Sequence, residues 1–207
     1  MMTTTRRPPA RAALLATLAI GLLAPACASA GSAPVWDWPA PPFADVDVTD
    51  QAGRRLRFQR DVLAGRTVAV NFVFTSCTTI CSPLAASFAA VQKELRARMG
   101  HDVHLVSVSV DPLNDTPSVL REYGARFGAG PGWTFLTGGR ASIDRILRDF
   151  GVPPGGDLSR HTPLVYIGHG DARAWTRMHG LAEPRTIAAA LLQAAARGAS
   201  GHGPVQP

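Results

Sequence analysis

The sequence predicts an α/β domain in which a central mixed sheet is flanked by helices. Three observations predict it: two β-branched runs at 67–74 and 103–110, stretches of helical periodicity after each, and a late pair of short strands around 168–171. Strands alternating with helices build parallel βαβ units, and a closing hairpin makes the sheet mixed. The elements follow in order. Residues 45–48 and 54–58 flank the turn sequence Asp50, Gln51, Ala52, Gly53 and form a hairpin. The run TVAVNFVF at 67–74 has the continuous apolar character of a strand buried on both faces. From 83 to 99, Leu84, Phe88, Val91, Leu95 and Met99 recur at helical spacing, and Gly100 stops the run. Residues 103–110 form a second central strand. Thr116 then supplies a hydroxyl cap and Pro117 the favoured first position of a helix carrying Val119, Leu120, Tyr123 and Phe127. Residues 133–136 are a short strand, and Ile143, Ile146, Leu147 and Phe150 mark another helix. The last elements are a hairpin of 163–168 with 173–178 and a helix over 184–196.

This order is the thioredoxin-like layout with an added N-terminal β-hairpin. It assigns 43–197 to one domain, 31–42 to an irregular leader rich in Pro and Trp, and the Gly-rich 198–207 to a disordered tail. A hydrophobic share of 46% against 17% charged residues is enough for an ordinary core. Half of the formal charge of +6 sits at the start, where Arg6, Arg7 and Arg11 precede any acid. Beyond residue 30 there remain 18 basic and 15 acidic residues, and the densest basic cluster, Arg54, Arg55 and Arg57, reads as a solvated face. No nucleic-acid partner is expected.

The N-terminus is an address. The arginines lead into an apolar run over 12–26, followed by Ala28, Ser29 and Ala30, which is the layout of a secretory signal over 1–30. The run is shorter than the roughly 20 residues of a comfortable membrane span. LAPAC at 23–27 also resembles a bacterial lipobox, which would make Cys27 a lipid-bearing residue, and an uncleaved short anchor is a third reading. All three place the chain outside the cytoplasm, in a periplasm or on the outer face of the cell membrane, soluble or tethered. There, neighbouring thiols form a disulfide unless a metal or a reductant intervenes.

The chemistry gathers after the first central strand, where Cys77 and Cys81 lie in the loop and first turn of the following helix. Ligand sites of α/β sheets collect at that carboxyl edge. A helix N-terminus favours thiolate over thiol, and a spacing of four brings both sulfurs to one ion or to each other. Soft thiolates suit Cu(I), zinc or an iron–sulfur cluster. A cluster normally needs four cysteines, and structural zinc wants a fourth ligand. Cu(I) is satisfied by two or three soft donors. For a third donor, His161 stands out, just before the strand at 163–168, a junction that faces the cysteine-bearing helix end in a thioredoxin-like fold. His101 and His104 border the opposite end of a strand, His169 a hairpin tip, His179 a position beyond the hairpin, and His202 the tail.

The segment FVFTSCTTIC at 72–81 resembles the copper-site strand and loop of the Sco/SenC family of copper chaperones. VSVSVDP at 106–112, DTP at 115–117, LREY at 120–123 and WTFLT at 133–137 are similar to that family too, in the same order and spacing. The likeness covers residues 43–197. It implies a thioredoxin-like fold and one copper ion held by Cys77, Cys81 and His161, as Cu(I) or Cu(II). It also implies copper delivery to the dinuclear copper site of cytochrome c oxidase, or thiol reduction at that site, with the copper-bearing oxidase subunit and other copper carriers as partners. The chain departs from many members at Thr78 and Ser82, where prolines are common, and at Pro163, which makes Thr162-Pro163 resemble the cis-proline element of thioredoxins.

Plainer readings compete. A structural disulfide between Cys77 and Cys81 would close a very small loop and so contribute little chain entropy. His161 alone could be an ordinary loop histidine. Asp111 and Pro112 end a strand at the same edge as the cysteines, as an orienting pair or as a simple turn. Trp133 and Phe72 read as core. The alternative function is an extracytoplasmic thiol–disulfide oxidoreductase working through Cys77 and Cys81 as its redox pair. A thiol peroxidase is a weaker third reading, since of the Arg and Thr it needs near the first cysteine only Thr78 is suggestive.

Overall fold

A computed structural model describes residues 1–2, 35–77, 79–155 and 163–201 of the chain. Of the two units into which the chain divides, Met1–Ala30 and Gly31–Pro207, the second carries the fold. Its elements run β1 (Val35–Pro39), β2 (Asp47–Asp50), β3 (Arg55–Arg57), a π-helical turn (Phe58–Leu63), β4 (Thr67–Val73), α1 (Cys81–Glu94), β5 (Val103–Ser109), α2 (Pro117–Arg126), β6 (Trp133–Thr137), α3 (Arg140–Asp149), β7 (Leu164–His169), β8 (Ala174–His179) and α4 (Pro184–Gly201). The strands form one sheet in the order β1-β8-β7-β4-β5-β6-β2-β3. β4, β5 and β6 are parallel, and every other pairing is antiparallel. The mixed sheet flanked by helices is as the sequence predicts.

Alternation along β4 divides the core. Ala69 and Val73 face α1, α2 and α4, whose Leu84, Phe88, Leu120, Tyr123, Ile187 and Leu191 are buried against them. Val68 and Val70 face the other side, where Ile143, Ile146 and Leu147 of α3 join an aromatic cluster around Phe150. Phe150 stacks on Phe43 at 4.8 Å and meets Tyr166 edge-on at 5.0 Å. Burial of each such side chain contributes about 1.5–3 kcal/mol. Trp133 is core, 2% exposed, and Phe72 packs against the aromatic cluster.

Four boundaries differ from expectation. Val35–Pro39, placed in an irregular leader, is an edge strand on β8 that pairs Trp38 with Trp175. Trp38 stacks on Phe150 at 5.5 Å, and that contact draws the segment onto the sheet, while Pro39 is tolerated because the strand is at an edge. The strand after Gly53 stops at Arg57, because Phe58 turns into the core and the Asp61 carboxylate accepts the Arg57 N–H at 2.7 Å. Helix α1 begins at Cys81 and ends at Glu94; Leu95 and Met99 still reach the core through turns that Gly100 closes with φ +78°. Finally, α4 continues through 198–201, which the sequence assigned to a disordered tail, because an alanine-rich run has high helix propensity.

The register fixes which ends meet. Val73 of β4 pairs with Ser109 of β5, and Asn71 with Val165 near the start of β7. One edge of the sheet therefore gathers the carboxyl ends of β4 and β5 and the amino end of β7.

Candidate metal centre

After β4 the chain turns at Thr75 and Ser76, and the Cys77 N–H donates to the Phe74 carbonyl at 3.2 Å. Helix α1 then starts without a hydroxyl or carboxylate cap: its N-cap residue Ile80 makes no side-chain hydrogen bond, and no acid lies in the first turn. A sulfur takes that role. The Cys81 N–H donates to Cys77 Sγ at 3.3 Å, and Thr79 Oγ1 lies 3.8 Å from the same atom. Unsatisfied N–H groups of a first helical turn are thus directed at one thiol.

The two cysteines are buried, unbonded thiols. Their environments separate them. Burial alone would push the Cys77 thiol up, but the Cys81 S–H and the backbone N–H groups of Thr79, Cys81 and Ile80 outweigh it and bring Cys77 down to about 7. Burial pushes Cys81 up to about 12, helped by its hydrogen bond to Cys77 and by the negative charges of Cys77 and Asp115, and opposed by the Phe74 N–H. The pair therefore loses its first proton, from Cys77, around neutral pH and keeps the second on Cys81. A full dithiolate needs a cation beside it, so the donor set fits a soft metal ion that displaces the second proton.

Around the sulfurs lie two groups that the sequence did not single out as site residues. The Tyr123 hydroxyl donates to the Cys81 carbonyl at 3.1 Å, and burial raises its own pKa, with Cys81, Cys77 and Asp115 adding to the effect. Asp115 is 1% exposed, and its carboxylate accepts from the Thr75 hydroxyl at 2.6 Å, the Ser109 hydroxyl at 2.6 Å and the Thr75 N–H at 3.2 Å. Asp111, the residue suspected from sequence, instead closes a local turn: its Oδ2 accepts from Asn114 Nδ2 at 2.8 Å and its N–H donates to Ser109 Oγ at 3.0 Å.

His161, Thr162 and Thr78 lie outside the described residues, as does the Thr162-Pro163 bond. Among the described residues no third histidine, cysteine or carboxylate completes a metal cluster with the pair. His169 is at the opposite edge, in register with Thr67, and His104 pairs with Val68 there. His179 corrects the expectation that it lies away from the site. It ends β8 opposite Leu164, on the cysteine edge. Its Nδ1 accepts the Leu181 N–H at 3.3 Å, which leaves the proton of a neutral ring on Nε2, the atom that would otherwise bind metal.

Comparison with known proteins places this geometry. Residues 42–196 match the SCO1/SenC family model. The chain belongs to the SCO1/SenC family. It is 33% identical over 126 residues to the SCO1 protein homolog of Bacillus subtilis, an alignment covering 58% of this chain and 65% of that protein. The match thus spans less than two thirds of that relative. Among solved structures, BsSco, a member of the Sco family of cytochrome c oxidase assembly proteins with a disulfide switch, superposes with TM-score 0.64 at 28% identity over 79% of this chain and 97% of that one. Copper-bound ScoI of Bradyrhizobium japonicum gives TM-score 0.61 at 26% identity over 75% of this chain and 98% of that one. These likenesses agree with the thioredoxin-like fold read from the sequence. No helix among the described residues is long and apolar enough to cross a membrane.

Proposed function

We propose that this SCO1/SenC protein is an exported copper-binding protein that holds one copper through Cys77, Cys81 and His161. Its role is to deliver copper to the dinuclear copper site of cytochrome c oxidase, or to help assemble that site. The observation that carries the reading is the split cysteine pair. One sulfur is drawn down to about 7 on a helix N-terminus, and its buried neighbour, pushed up to about 12, holds a proton that a bound soft cation would displace. Copper-bound ScoI and the assembly role of BsSco support the same ion and the same client.

Cys77 captures the soft ion as a thiolate, and loss of the Cys81 proton completes a two-sulfur grip. His161 is the third donor. Pro163, two residues downstream, is tied by its carbonyl to the Gly180 N–H at 2.6 Å, and an added Cβ on Gly180 would lie 2.3 Å from Leu84 in the first turn of α1. Pro163 therefore enters the fold beside the cysteine helix, and two residues span at most about 7 Å of chain. The predicted export signal at 1–30 puts this cargo on the side of the membrane where thiols need a metal or a reductant to stay unpaired.

The test is transfer. Copper-loaded protein mixed with the metal-free soluble domain of the oxidase copper subunit is expected to build that domain's dinuclear copper absorption. No transfer from a loaded donor refutes delivery.

The free pair and the low Cys77 thiol also favour thiol–disulfide exchange. In that reading the Cys77 thiolate attacks a client disulfide and releases one client thiolate. Cys81 then loses its proton and displaces the second, leaving a Cys77–Cys81 disulfide and a reduced client. Reduction of the oxidised oxidase domain by metal-free protein, at a rate above that of glutathione, identifies this activity.

A further inference from the structure

Asp115 is a buried carboxylate. None of the ion pairs among the described residues includes it, and it is 1% exposed. Its partners demand an acceptor. The Thr75 N–H can only donate, and Ser109 Oγ already receives the Asp111 N–H, so its hydroxyl proton is free for Asp115. Thr75 precedes Cys77 by two residues, while Ser109 ends β5 and Asp115 leads into α2. One side chain thus ties the turn before the first cysteine to the neighbouring strand and the next helix.

We propose that Asp115 is a positioning residue of the metal centre, clamping the Thr75 turn that leads to Cys77 and fixing there a negative charge that favours Cu(II) over Cu(I). The inference rests on the copper reading of the cysteine pair. The charge is close to the site by geometry: the carboxylate holds the Thr75 N–H and hydroxyl, two residues before Cys77. The sign follows from charge balance. Two thiolates and a neutral imidazole leave Cu(II) with no net charge and Cu(I) with one negative charge. A fixed carboxylate repels the second more than the first, and in a buried site such a repulsion is worth about tenfold in an equilibrium constant.

The test compares wild type with Asp115→Asn and Thr75→Val. Cu(I) and Cu(II) affinities are measured separately by competition with chelators. Asp115→Asn keeps the shape and removes the charge, and it is expected to raise the ratio of Cu(I) to Cu(II) affinity by about tenfold. Thr75→Val keeps the charge but removes the 2.6 Å hydroxyl donor, and it is expected to leave the ratio unchanged or lower it. In the metal-free reduced protein, the Thr75 and Cys77 amides should exchange hydrogen faster in both variants, a readout that needs no copper. Equal loss of both affinities in Asp115→Asn, with the ratio unmoved, reduces Asp115 to a structural clamp and overturns the electrostatic proposal. Unchanged amide exchange overturns the clamp. If wild type takes up no copper, the copper reading itself fails. If Asp115→Asn does not fold, a rise in the ratio in Thr75→Val overturns the proposal by itself.

Discussion

A thiol that caps a helix should be reactive well below the ordinary cysteine range, and the size of the effect can be worked out. An unperturbed thiol at 9.0 is about 1% thiolate at pH 7, whereas Cys77, at about 7, is about half ionised. That is a gain of about fiftyfold in attacking species. Nucleophilicity falls with basicity, at a Brønsted coefficient of about 0.4–0.5, so two pH units cost about six- to tenfold. The net expectation is a rate about five- to eightfold above a free thiol at pH 7. The assay is the second-order reaction of reduced, metal-free protein with a small disulfide reagent between pH 5 and 10. The rate should rise with a midpoint near pH 7 and be flat above pH 8.5. In Cys81→Ala, which removes the S–H donor to Cys77, the midpoint should move upward. A wild-type rate that still climbs tenfold per unit between pH 8 and 9 refutes the capping argument.

Two further outcomes follow from the same structure. Because Cys77 is lowered on folding, it adds stability to the reduced protein as pH rises from about 7 to about 9, and Cys81, raised to about 12, removes it above 9. The urea midpoint of wild type relative to Cys77→Ala should therefore climb between pH 7 and 9, and a flat difference contradicts the assignment. In Gly170→Ala the new Cβ would lie 2.0 Å from the Leu63 carbonyl oxygen, a backbone atom that cannot rotate away. A loss of about 1–3 kcal/mol in urea unfolding is expected, and an unchanged midpoint would show that the β7–β8 turn shifts freely.

Much of the site was legible because local rules place it. A buried apolar run must be a strand, Pro83 and the periodic residues after it must be a helix, and a cysteine pair between them must sit at a strand's carboxyl end. The Thr116 cap was legible for the same reason, and its hydroxyl indeed accepts the Val119 N–H at 3.4 Å. Features that depend on distant partners were not. β1 is a strand only because β8, far along the chain, offers it an edge and Trp38 finds Phe150. Asp115 meets Thr75 across 40 residues, so its sequence context shows only the residue before a helix cap. His179 looked remote in sequence, and only the β7–β8 register brings it to the cysteine edge. The unequal pair of thiols depends on which N–H groups aim at which sulfur, which spacing alone does not reveal.

The proposed function requires that Cys77, Cys81 and His161 act as one copper site. Anaerobic titration of the reduced protein with copper, with metal content and thiolate charge-transfer absorption read together, tests this most directly. The account predicts about one copper per chain, no tight uptake in Cys77→Ala or Cys81→Ala, and a weaker site with an altered band in His161→Ala. No uptake by wild type, or uptake and absorption unchanged by His161→Ala, would contradict it.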